Sequence, residues 1–200
     1  MAHVLVVCTG NICRSPMAEG FLRAAFERRL GMEAPTVRSA GLIAQNGASA
    51  EPGSIQAAAE HGVDISGHAA RRLTERGIEQ ALLVLGMAAE HREAAVAAVP
   101  EAARRAFTLR EVVTLLGELP PSEDVGPVPF RLAKRLAAAD ALRRTGAAPR
   151  VADEDIRDPL GLSLQAFRST ARELADLSMR LVDGLVGAPE ERSVAGGRGV

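Results

Sequence analysis

Residues 3–23 read HVLVVCTGNICRSPMAEGFLR, and this stretch decides the fold. Its first five residues are largely β-branched and predict a buried strand that ends at Cys8. The polar residues 9–14 predict a loop. Ser15 and Pro16 predict the start of a helix, because serine is a good helix cap and proline is favoured at the first helical position. The stretch therefore predicts a strand, a tight loop and a helix in succession.

The predicted first helix has a regular apolar face. Ala18, Phe21, Leu22 and Ala25 recur at the i, i+3, i+4, i+7 spacing, which predicts a stripe that faces the core. Glu19 falls in the first turn of the helix so predicted, where a carboxylate suits the helix dipole.

The rest of the chain repeats the alternation of strands and helices. Apolar runs predict three more strands, at 36–40, 81–85 and 106–109. Helices are predicted at 54–61 and 88–98, with a short one ending at Leu116. A long C-terminal helix is marked by five apolar residues, Phe167, Ala171, Leu174, Leu181 and Leu185. This alternation predicts the α/β class, with a parallel sheet and helices on both of its faces.

Two segments depart from the alternation. Residues 118–152 carry five prolines around an alanine- and arginine-rich stretch at 131–144 that is compatible with a helix. Residues 188–200 predict a disordered tail. We therefore predict one domain over residues 1–187 with an inserted segment at about 118–152. The insertion is interpreted either as a passive surface excursion, the commoner case, or as a segment that shapes a substrate groove or binds a partner.

The composition is that of a globular protein, with 47% apolar and 24% charged residues. The 24 basic and 25 acidic residues leave a net charge of −1, so charge gives no argument for a nucleic-acid partner. No apolar run approaches the roughly 20 residues of a membrane-spanning helix, and we expect no membrane partner. Polar residues interrupt the N-terminal apolar run, so we expect no signal peptide. Two cysteines predict a reducing compartment, and we expect the cytoplasm.

The loop after the first strand has the composition of an anion site. Ligands of open α/β sheets bind at the carboxyl ends of strands, and loop amides that feed a helix N-terminus cradle anions. Gly10 and Asn11 tolerate the left-handed backbone that such a cradle needs. The helix N-terminus and Arg14 favour a reactive thiolate at Cys8, and the Arg14 guanidinium can grip two oxygens of a tetrahedral oxyanion. The alternative is a buried strand-end thiol at Cys8 with Arg14 as a surface charge.

At these residues the sequence resembles the low-molecular-weight protein tyrosine phosphatase family. The resemblance extends over both ends of the chain, in the motifs VCTGNICRSPMAEGFLR at 7–23, SAG at 39–41, HGVDISGHAARRL at 61–73, LLVLGM at 82–87 and DIRDPLG at 155–161. It implies a four-stranded parallel sheet flanked by helices, with the phosphate-binding loop after the first strand. We expect no cofactor, and we expect no metal site because His3, His61 and His91 lack the spacing of metal ligands.

The resemblance also implies roles for individual residues. Phosphate would be bound by the loop residues Thr9, Gly10, Asn11, Ile12, Cys13, Arg14 and Ser15. Cys8 would be the nucleophile, Arg14 would hold the phosphoryl oxygens, and Asp158 would act as general acid and then as general base. Asn11, Ser15, Ser39 and His68 would form the supporting polar network. From the residues alone, Asp158 could equally be a solvated member of the acidic cluster that begins at Asp153.

Three departures from the family bear on the substrate. Leu160 follows Asp158-Pro159 where many members carry an aromatic residue, the chain has no Tyr or Trp, and Ala88 stands where Asp is frequent. Ile12 instead favours a phosphotyrosine substrate. In the family, an aliphatic residue at this position is associated with phosphotyrosine, and threonine is associated with phosphoarginine. We therefore expect a phosphotyrosine protein or a small aryl phosphate as the substrate.

Two other functions remain open from the sequence. One is an arsenate reductase on the same fold that uses a small thiol; the thioredoxin-coupled kind is disfavoured because no cysteine follows Cys13. The other is a phosphate-binding module without catalysis. The resemblance also suggests that Cys13 pairs with Cys8 under oxidation, the alternative being an apolar filler under the loop. The oligomeric state is left open.

Overall fold

The computed structural model describes residues 3–121, 126–147, 149 and 151–187. Within these residues, four strands form one sheet whose neighbouring pairs are all parallel, as predicted. The strands are β1 (His3–Cys8), β2 (Thr36–Gly41), β3 (Ala81–Gly86) and β4 (Ala106–Thr108). The tail predicted at 188–200 lies outside the described residues.

The strand order is β2-β1-β3-β4, so the chain crosses from one side of β1 to the other between β2 and β3. In open parallel sheets such a reversal leaves a crevice beyond the carboxyl ends of the strands that flank it. Cys8 ends β1 opposite Gly41 of β2, and Val7 lies opposite Gly86 at the end of β3. The loop after β1 therefore lies where the topology provides for a ligand.

The described residues form seven α-helices and two short 3-10 helices. The α-helices are α1 (Arg14–Leu30), α2 (Pro52–Ala59), α3 (Glu75–Glu79), α4 (Ala89–Ala98), α5 (Leu109–Gly117), α6 (Val128–Thr145) and α7 (Leu164–Val186). The 3-10 helices are Gly31–Glu33 and Pro100–Arg104. None of the helices in the described part of the chain is both long enough and apolar enough to cross a membrane.

The helices cover both faces of the sheet, as predicted. Because side chains alternate along a strand, β1 contributes Val4 and Val6 to one core and Leu5 and Val7 to the other. The first core lies under α1, α2, α5, α6 and α7, and the second lies under α3 and α4. The predicted stripe of α1 and the five apolar residues that predicted α7 are all buried in the first core.

The start of α1 differs from the prediction. The helix begins at Arg14 with Cys13 as its N-cap residue, so Ser15 is the second helical residue and not the cap. No acidic residue lies in the first turn, and the carboxylate of Glu19 instead accepts a hydrogen bond from Ser39 Oγ at 2.5 Å. The prediction was wrong because both side chains have partners in the folded protein that local capping rules do not take into account.

The stretch compatible with a helix inside the insertion is α6. Its Leu132 and Leu136 are buried in the first core, where α6 packs against α5 and α7. Arg143 donates to the carbonyl of Ala106 in the edge strand β4 at 2.8 Å, and its guanidinium lies 4.1 Å from the centre of the Phe107 ring. The described part of the insertion is therefore not a passive surface excursion, because it adds a helix to the core beside β4.

Candidate active site

The phosphate loop, residues 8–15, joins β1 to α1 and carries the predicted nucleophile at its first position. Cys8 is 2% exposed. Its sulfur lies 2.9 Å from Ser15 Oγ, and the backbone N–H of Asn11 donates to it at 3.2 Å. A hydroxyl and an amide at these distances stabilise negative charge on the sulfur.

Asn11 holds the loop in its shape. It is fully buried and has a φ of 56°, the one positive φ of a non-glycine residue in the described ranges. Its Nδ2 donates to Ser15 Oγ and Ser39 Oγ, both at 2.8 Å, and its Oδ1 accepts from the backbone N–H of Arg71 at 2.8 Å. His68 Nε2 lies 2.8 Å from the Asn11 carbonyl oxygen. These bonds offset a left-handed backbone that costs about 1–2 kcal/mol, and they bring together the four predicted supporting residues.

Two further residues complete this network, and neither was predicted as part of the site. Glu19 extends it from Ser39 to the protein surface through the hydrogen bond described above. Gly41 lies so close to the loop that a Cβ atom there would stand 2.7 Å from the Thr9 carbonyl oxygen and 2.8 Å from the Asn11 nitrogen. The sequence contained both residues inside family-like motifs, but nothing in the sequence indicated these contacts.

Arg14 is 6% exposed, and three acceptors position its guanidinium. Nη2 donates to Asp158 Oδ2 at 2.5 Å and to Thr9 Oγ1 at 3.3 Å, and Nη1 donates to the Ile156 carbonyl at 3.2 Å. Nε is buried and has no hydrogen-bond partner among the residues that the structure describes. The Nε–H donor is therefore unsatisfied by the described residues.

Residues 153–160, which we call the acid loop, carry Asp158 to this guanidinium. The backbone N–H of Ile156 donates to the Met87 carbonyl at 2.8 Å, which joins the loop to the end of β3. Asp158 Oδ1 accepts from the backbone N–H of Leu160 at 3.1 Å. The Asp158 side chain is 40% exposed, so it faces both Arg14 and the solvent.

The three acids before Asp158 have partners of their own, which separates Asp158 from the acidic cluster. Glu154 accepts from Arg92 Nη1 at 2.9 Å, and Asp155 accepts from the backbone N–H of Ala89 at 2.8 Å. Asp153 forms an ion pair with Arg110 at 2.8 Å. These contacts fix the acid loop to α4 and α5, and Asp158 is the member of the cluster that reaches Arg14.

A cleft of about 320 Å³ opens over the phosphate loop, between the loop and Asp158. Its rim is apolar and includes Ile43 and Leu160, which are 68% and 51% exposed, and Ile12 lines its wall. None of the described residues that line the cleft is aromatic. Two other depressions, of about 360 and 490 Å³, lie beside Glu19 and do not include Cys8.

The second cysteine of the loop differs from the first. Cys13 is 3% exposed, and burial, above all other influences, raises its pKa to about 12. Its thiol is therefore protonated at neutral pH. Both cysteines are free, and a Cys8–Cys13 disulfide stays a prediction.

Thr9 and His91 form a contact that sequence reasoning did not find. His91 Nε2 lies 3.0 Å from Thr9 Oγ1, although the two residues are 82 positions apart. His91 is fully buried, and its Nδ1 has no partner within the described residues. The sequence indicates only that His91 lacks the spacing of a metal ligand.

Comparisons with known proteins identify the family to which the chain is similar. The profile of the family described as "Low molecular weight phosphotyrosine protein phosphatase" matches residues 3–119. A probable low molecular weight protein-tyrosine-phosphatase, EpsP of Ralstonia solanacearum, is 39% identical over 109 residues, or 54% of this chain and 71% of that protein. A protein-arginine-phosphatase of Bacillus subtilis is 38% identical over 111 residues, or 56% of this chain and 72% of that protein. The crystal structure of a low molecular weight protein tyrosine phosphatase from T. tengcongensis has a TM-score of 0.67 and 33% identity, covering 92% of this chain and 100% of that chain.

The chain therefore belongs to the low molecular weight phosphotyrosine protein phosphatase family. This confirms the predicted family and the predicted class of function, a cysteine-dependent phosphatase. The fold predicted for that family is confirmed as well. The names of the relatives include both tyrosine and arginine phosphatases, so the choice between these two substrates depends on the cleft.

Proposed function

We propose that this protein hydrolyses phosphotyrosine-type phosphomonoesters through a phosphocysteine intermediate. One observation carries the proposal: Cys8, Arg14 and Asp158 meet at one cleft beyond the end of β1. The sulfur has two donors behind it, and the guanidinium that lines the same cleft has a buried N–H without a hydrogen-bond partner among the described residues. A phosphate oxygen would satisfy that N–H, since a buried donor without a partner is costly.

Substrate binding is expected to replace Asp158, one hydrogen-bond partner of Arg14, with phosphate oxygens. In this structure Arg14 Nη2 donates to Asp158, and while this contact lasts the Asp158 carboxylate cannot deliver a proton. A phosphate dianion competes for the same guanidinium through a bidentate, charge-assisted contact. The exchange releases Asp158, which takes up a proton from the solvent and turns toward the leaving oxygen, while the loop amides bind the other phosphoryl oxygens.

The first chemical step transfers the phosphoryl group to the enzyme. The Cys8 thiolate attacks phosphorus in line, so that an S–P bond forms as the P–O ester bond breaks. Asp158 gives its proton to the departing oxygen, which leaves as a neutral alcohol or phenol. Arg14 and the loop amides stabilise the charge on the equatorial oxygens throughout.

The second step returns the enzyme to its starting form. The ionised Asp158 takes a proton from a water molecule, which attacks phosphorus and releases inorganic phosphate as the S–P bond breaks. The electron pair of that bond returns to Cys8. The Ser15 hydroxyl and the Asn11 N–H lie 2.9 and 3.2 Å from the sulfur, where they stabilise the returning thiolate.

The cleft supports an aryl ester as the substrate. Ile12, Ile43 and Leu160 offer alkyl surface that can bury an aromatic ring. An isoleucine side chain has no group that can hydrogen-bond the guanidinium of phosphoarginine, and desolvating that guanidinium without a partner is unfavourable. Phosphoarginine is nevertheless the second candidate, because a relative 38% identical to this chain is named a protein-arginine-phosphatase.

The proposal is tested by the hydrolysis of p-nitrophenyl phosphate and a phosphotyrosine peptide by the parent, Cys8→Ser and Asp158→Asn. Cys8→Ser should abolish turnover. Asp158→Asn should lower kcat about 10²- to 10⁴-fold on the peptide, the usual contribution of general acid–base catalysis. The loss should be smaller on p-nitrophenyl phosphate, because its leaving group needs less protonation.

The matched control is Asp176→Asn, which removes an exposed carboxylate on α7 and should leave both activities unchanged. Retained turnover in Cys8→Ser would overturn the proposed mechanism. If the reduced parent has no phosphatase activity but reduces arsenate in the presence of a small thiol, the arsenate reductase alternative is correct.

A phosphoarginine peptide, assayed beside the phosphotyrosine peptide with the parent and Ile12→Thr, decides the substrate class. We expect Ile12→Thr to shift the ratio of kcat/KM values toward phosphoarginine.

We also propose the cytoplasm as the site of action. Two free, buried cysteines, one of them the proposed nucleophile, suit a reducing compartment, since thiol chemistry at Cys8 requires the reduced form.

A further inference from the structure

We propose that His91 is a positioning residue for Arg14 and acts through the hydroxyl group of Thr9. The inference rests on the proposed function, because it concerns how Arg14 is held for phosphate. It assigns a role to a buried histidine that comes from α4, outside the phosphate loop and outside the acid loop.

Three side chains from two segments, the phosphate loop and α4, form the contact. His91 Nε2 is 3.0 Å from Thr9 Oγ1, and Thr9 Oγ1 accepts from Arg14 Nη2 at 3.3 Å. His91 and Arg14 are 0% and 6% exposed, so water does not replace these bonds easily. A threonine hydroxyl can rotate about its χ1 angle, and the imidazole restricts that rotation by giving the hydroxyl a second partner.

The sheet topology explains why His91 reaches the phosphate loop. The backbone N–H of Met87, just after β3, donates to the Val7 carbonyl of β1 at 2.9 Å. Gly86 lets α4 begin close against β3, because a Cβ atom there would lie 2.8 Å from the Ala88 oxygen and 2.8 Å from the Arg92 nitrogen. The first turn of α4 therefore lies beside the end of β1, and His91 is in that turn.

His91 is suited to this place because it does not add charge there. Burial, and then the charge of Arg14, lower the pKa of His91, and these effects outweigh Glu90, Asp155 and Asp158, which raise it. The ring is therefore neutral at neutral pH. Glu90 Oε1 lies 3.4 Å from the same nitrogen, but its side chain is 69% exposed and a neutral ring makes no ion pair with it.

The positions of the hydrogen-bond acceptors around Arg14 indicate the role of the contact between His91 and Thr9. Of the three acceptors that the guanidinium has within the described residues, Asp158 and the Ile156 carbonyl both belong to the acid loop. Thr9 is the acceptor that belongs to the phosphate loop. When Asp158 leaves Arg14 to protonate the leaving group, Thr9 is the contact that does not depend on the acid loop. His91 thus keeps Arg14 in its phosphate-binding orientation while the acid loop changes partners.

The test compares four substitutions with the parent: His91→Gln, His91→Asn, His91→Leu and Thr9→Val. A glutamine amide reaches the place of the imidazole Nε2 and can donate or accept, whereas an asparagine amide reaches only the place of Nδ1. We expect His91→Gln to keep kcat/KM within about twofold of the parent, and His91→Asn, His91→Leu and Thr9→Val each to lose about tenfold. Thr9→Val combined with His91→Leu should lose no more than either change alone, because both remove the same contact.

The dissociation constant for inorganic phosphate, measured in the Cys8→Ser background, gives a second readout that needs no turnover. His91→Leu should weaken phosphate binding about tenfold there, and His91→Gln should restore it. Val99→Ala is the control: it shortens a buried side chain at the other end of α4, so it should lower the melting temperature without changing the phosphate affinity.

An inactive parent that still binds phosphate with this pattern would contradict the proposed function but support the role of His91. The role of His91 is contradicted if folded His91→Leu matches the parent, if His91→Gln is as impaired as His91→Leu, or if the effects of His91→Leu and Thr9→Val multiply.

Discussion

The phosphate loop and the acid loop supply the two halves of the site, and they are held in opposite ways. In the phosphate loop, Cys8, Asn11 and Ser15 are at most 2% exposed and are joined by hydrogen bonds inside the protein. In the acid loop, the Asp158 side chain is 40% exposed, and ion pairs such as Glu154–Arg92 hold the segment at the surface.

The difference follows from what each loop does in the proposed reaction. The phosphate loop has to present a fixed set of donors to a charge that changes during the reaction, and preorganised donors serve this best. The acid loop has to exchange one partner of Asp158 for another. Partly exposed ion pairs suit that exchange, because they contribute only about 0–1 kcal/mol each.

The largest effect is expected where the buried network is cut. Asn11→Ala removes the hydrogen bonds to Ser15, Ser39 and the Arg71 backbone, and of the bonds that offset the left-handed backbone it leaves only the one between His68 and the backbone carbonyl. We expect kcat/KM to fall by about 10²- to 10³-fold, as when an oxyanion-hole donor is lost. Steady-state kinetics and the phosphate dissociation constant measure this. Asn46→Ala is the matched control, since Asn46 also accepts from a backbone N–H, that of Arg72, but is exposed. Equal losses in both variants would mean that the network has no special role.

The next largest effect is expected at Gly41, where β2 lies close to the phosphate loop. In Gly41→Ala the new methyl group would meet backbone atoms of Thr9 and Asn11 at under 3 Å, so the loop has to move. We expect a loss of about 1–3 kcal/mol in the free energy of unfolding, as for an overpacked core, together with weaker phosphate binding. Gly67→Ala, where the methyl group has no neighbour within 4 Å, should change neither quantity. Denaturant titration of both variants provides the measurement, and a Gly41→Ala variant as stable as the parent would contradict the prediction.

A weaker effect is expected at the acid loop. Glu154→Gln removes an ion pair to Arg92 whose two side chains are 28% and 22% exposed. We expect kcat to fall about two- to fivefold with little change in the phosphate dissociation constant, because an ion pair worth up to about 1 kcal/mol corresponds to a change in rate of up to about fivefold. The difference from the parent should shrink as salt is added, since screening weakens the pair in the parent. A change in phosphate affinity as large as the change in kcat would mean that the two loops are not independent.

The smallest effect is expected in the pH dependence of the free energy of unfolding. Burial lowers the pKa of His91 below 6.5 in the folded protein, so as pH falls below 6.5 the unfolded chain takes up the proton first. The stability that this group contributes is present above pH 6.5 and is lost as pH falls toward and through the lowered pKa. The parent should therefore lose stability relative to His91→Gln on acidification, by at most about 1.4 kcal/mol per pH unit. Buried His3 has a lowered pKa too, but it is present in both proteins and cancels. Parallel stability curves for the two proteins would contradict the prediction.

Much of this arrangement could be predicted from the sequence. The order of strands and helices followed from apolar periodicity, and the loop chemistry followed from residues that are contiguous between Cys8 and Ser15. The cap of α1 was predicted wrongly, because Ser15 bonds Cys8 and Asn11 instead of capping the helix. The contact between Thr9 and His91 could not be predicted, because nothing in a single sequence relates two residues 82 positions apart.

The sequence by itself determined the α/β alternation, the position of the phosphate loop after β1 and the chemistry of Cys8 and Arg14, because these depend on neighbouring residues and on the periods of strands and helices. The tertiary structure alone decided which charged groups meet. Of four clustered acids it brought Asp158 to Arg14, 144 residues away, and it brought a buried histidine of α4 to Thr9. Partner choice depends on the strand order and on packing distances of a few ångströms, and these are properties of the whole fold and not of any one segment.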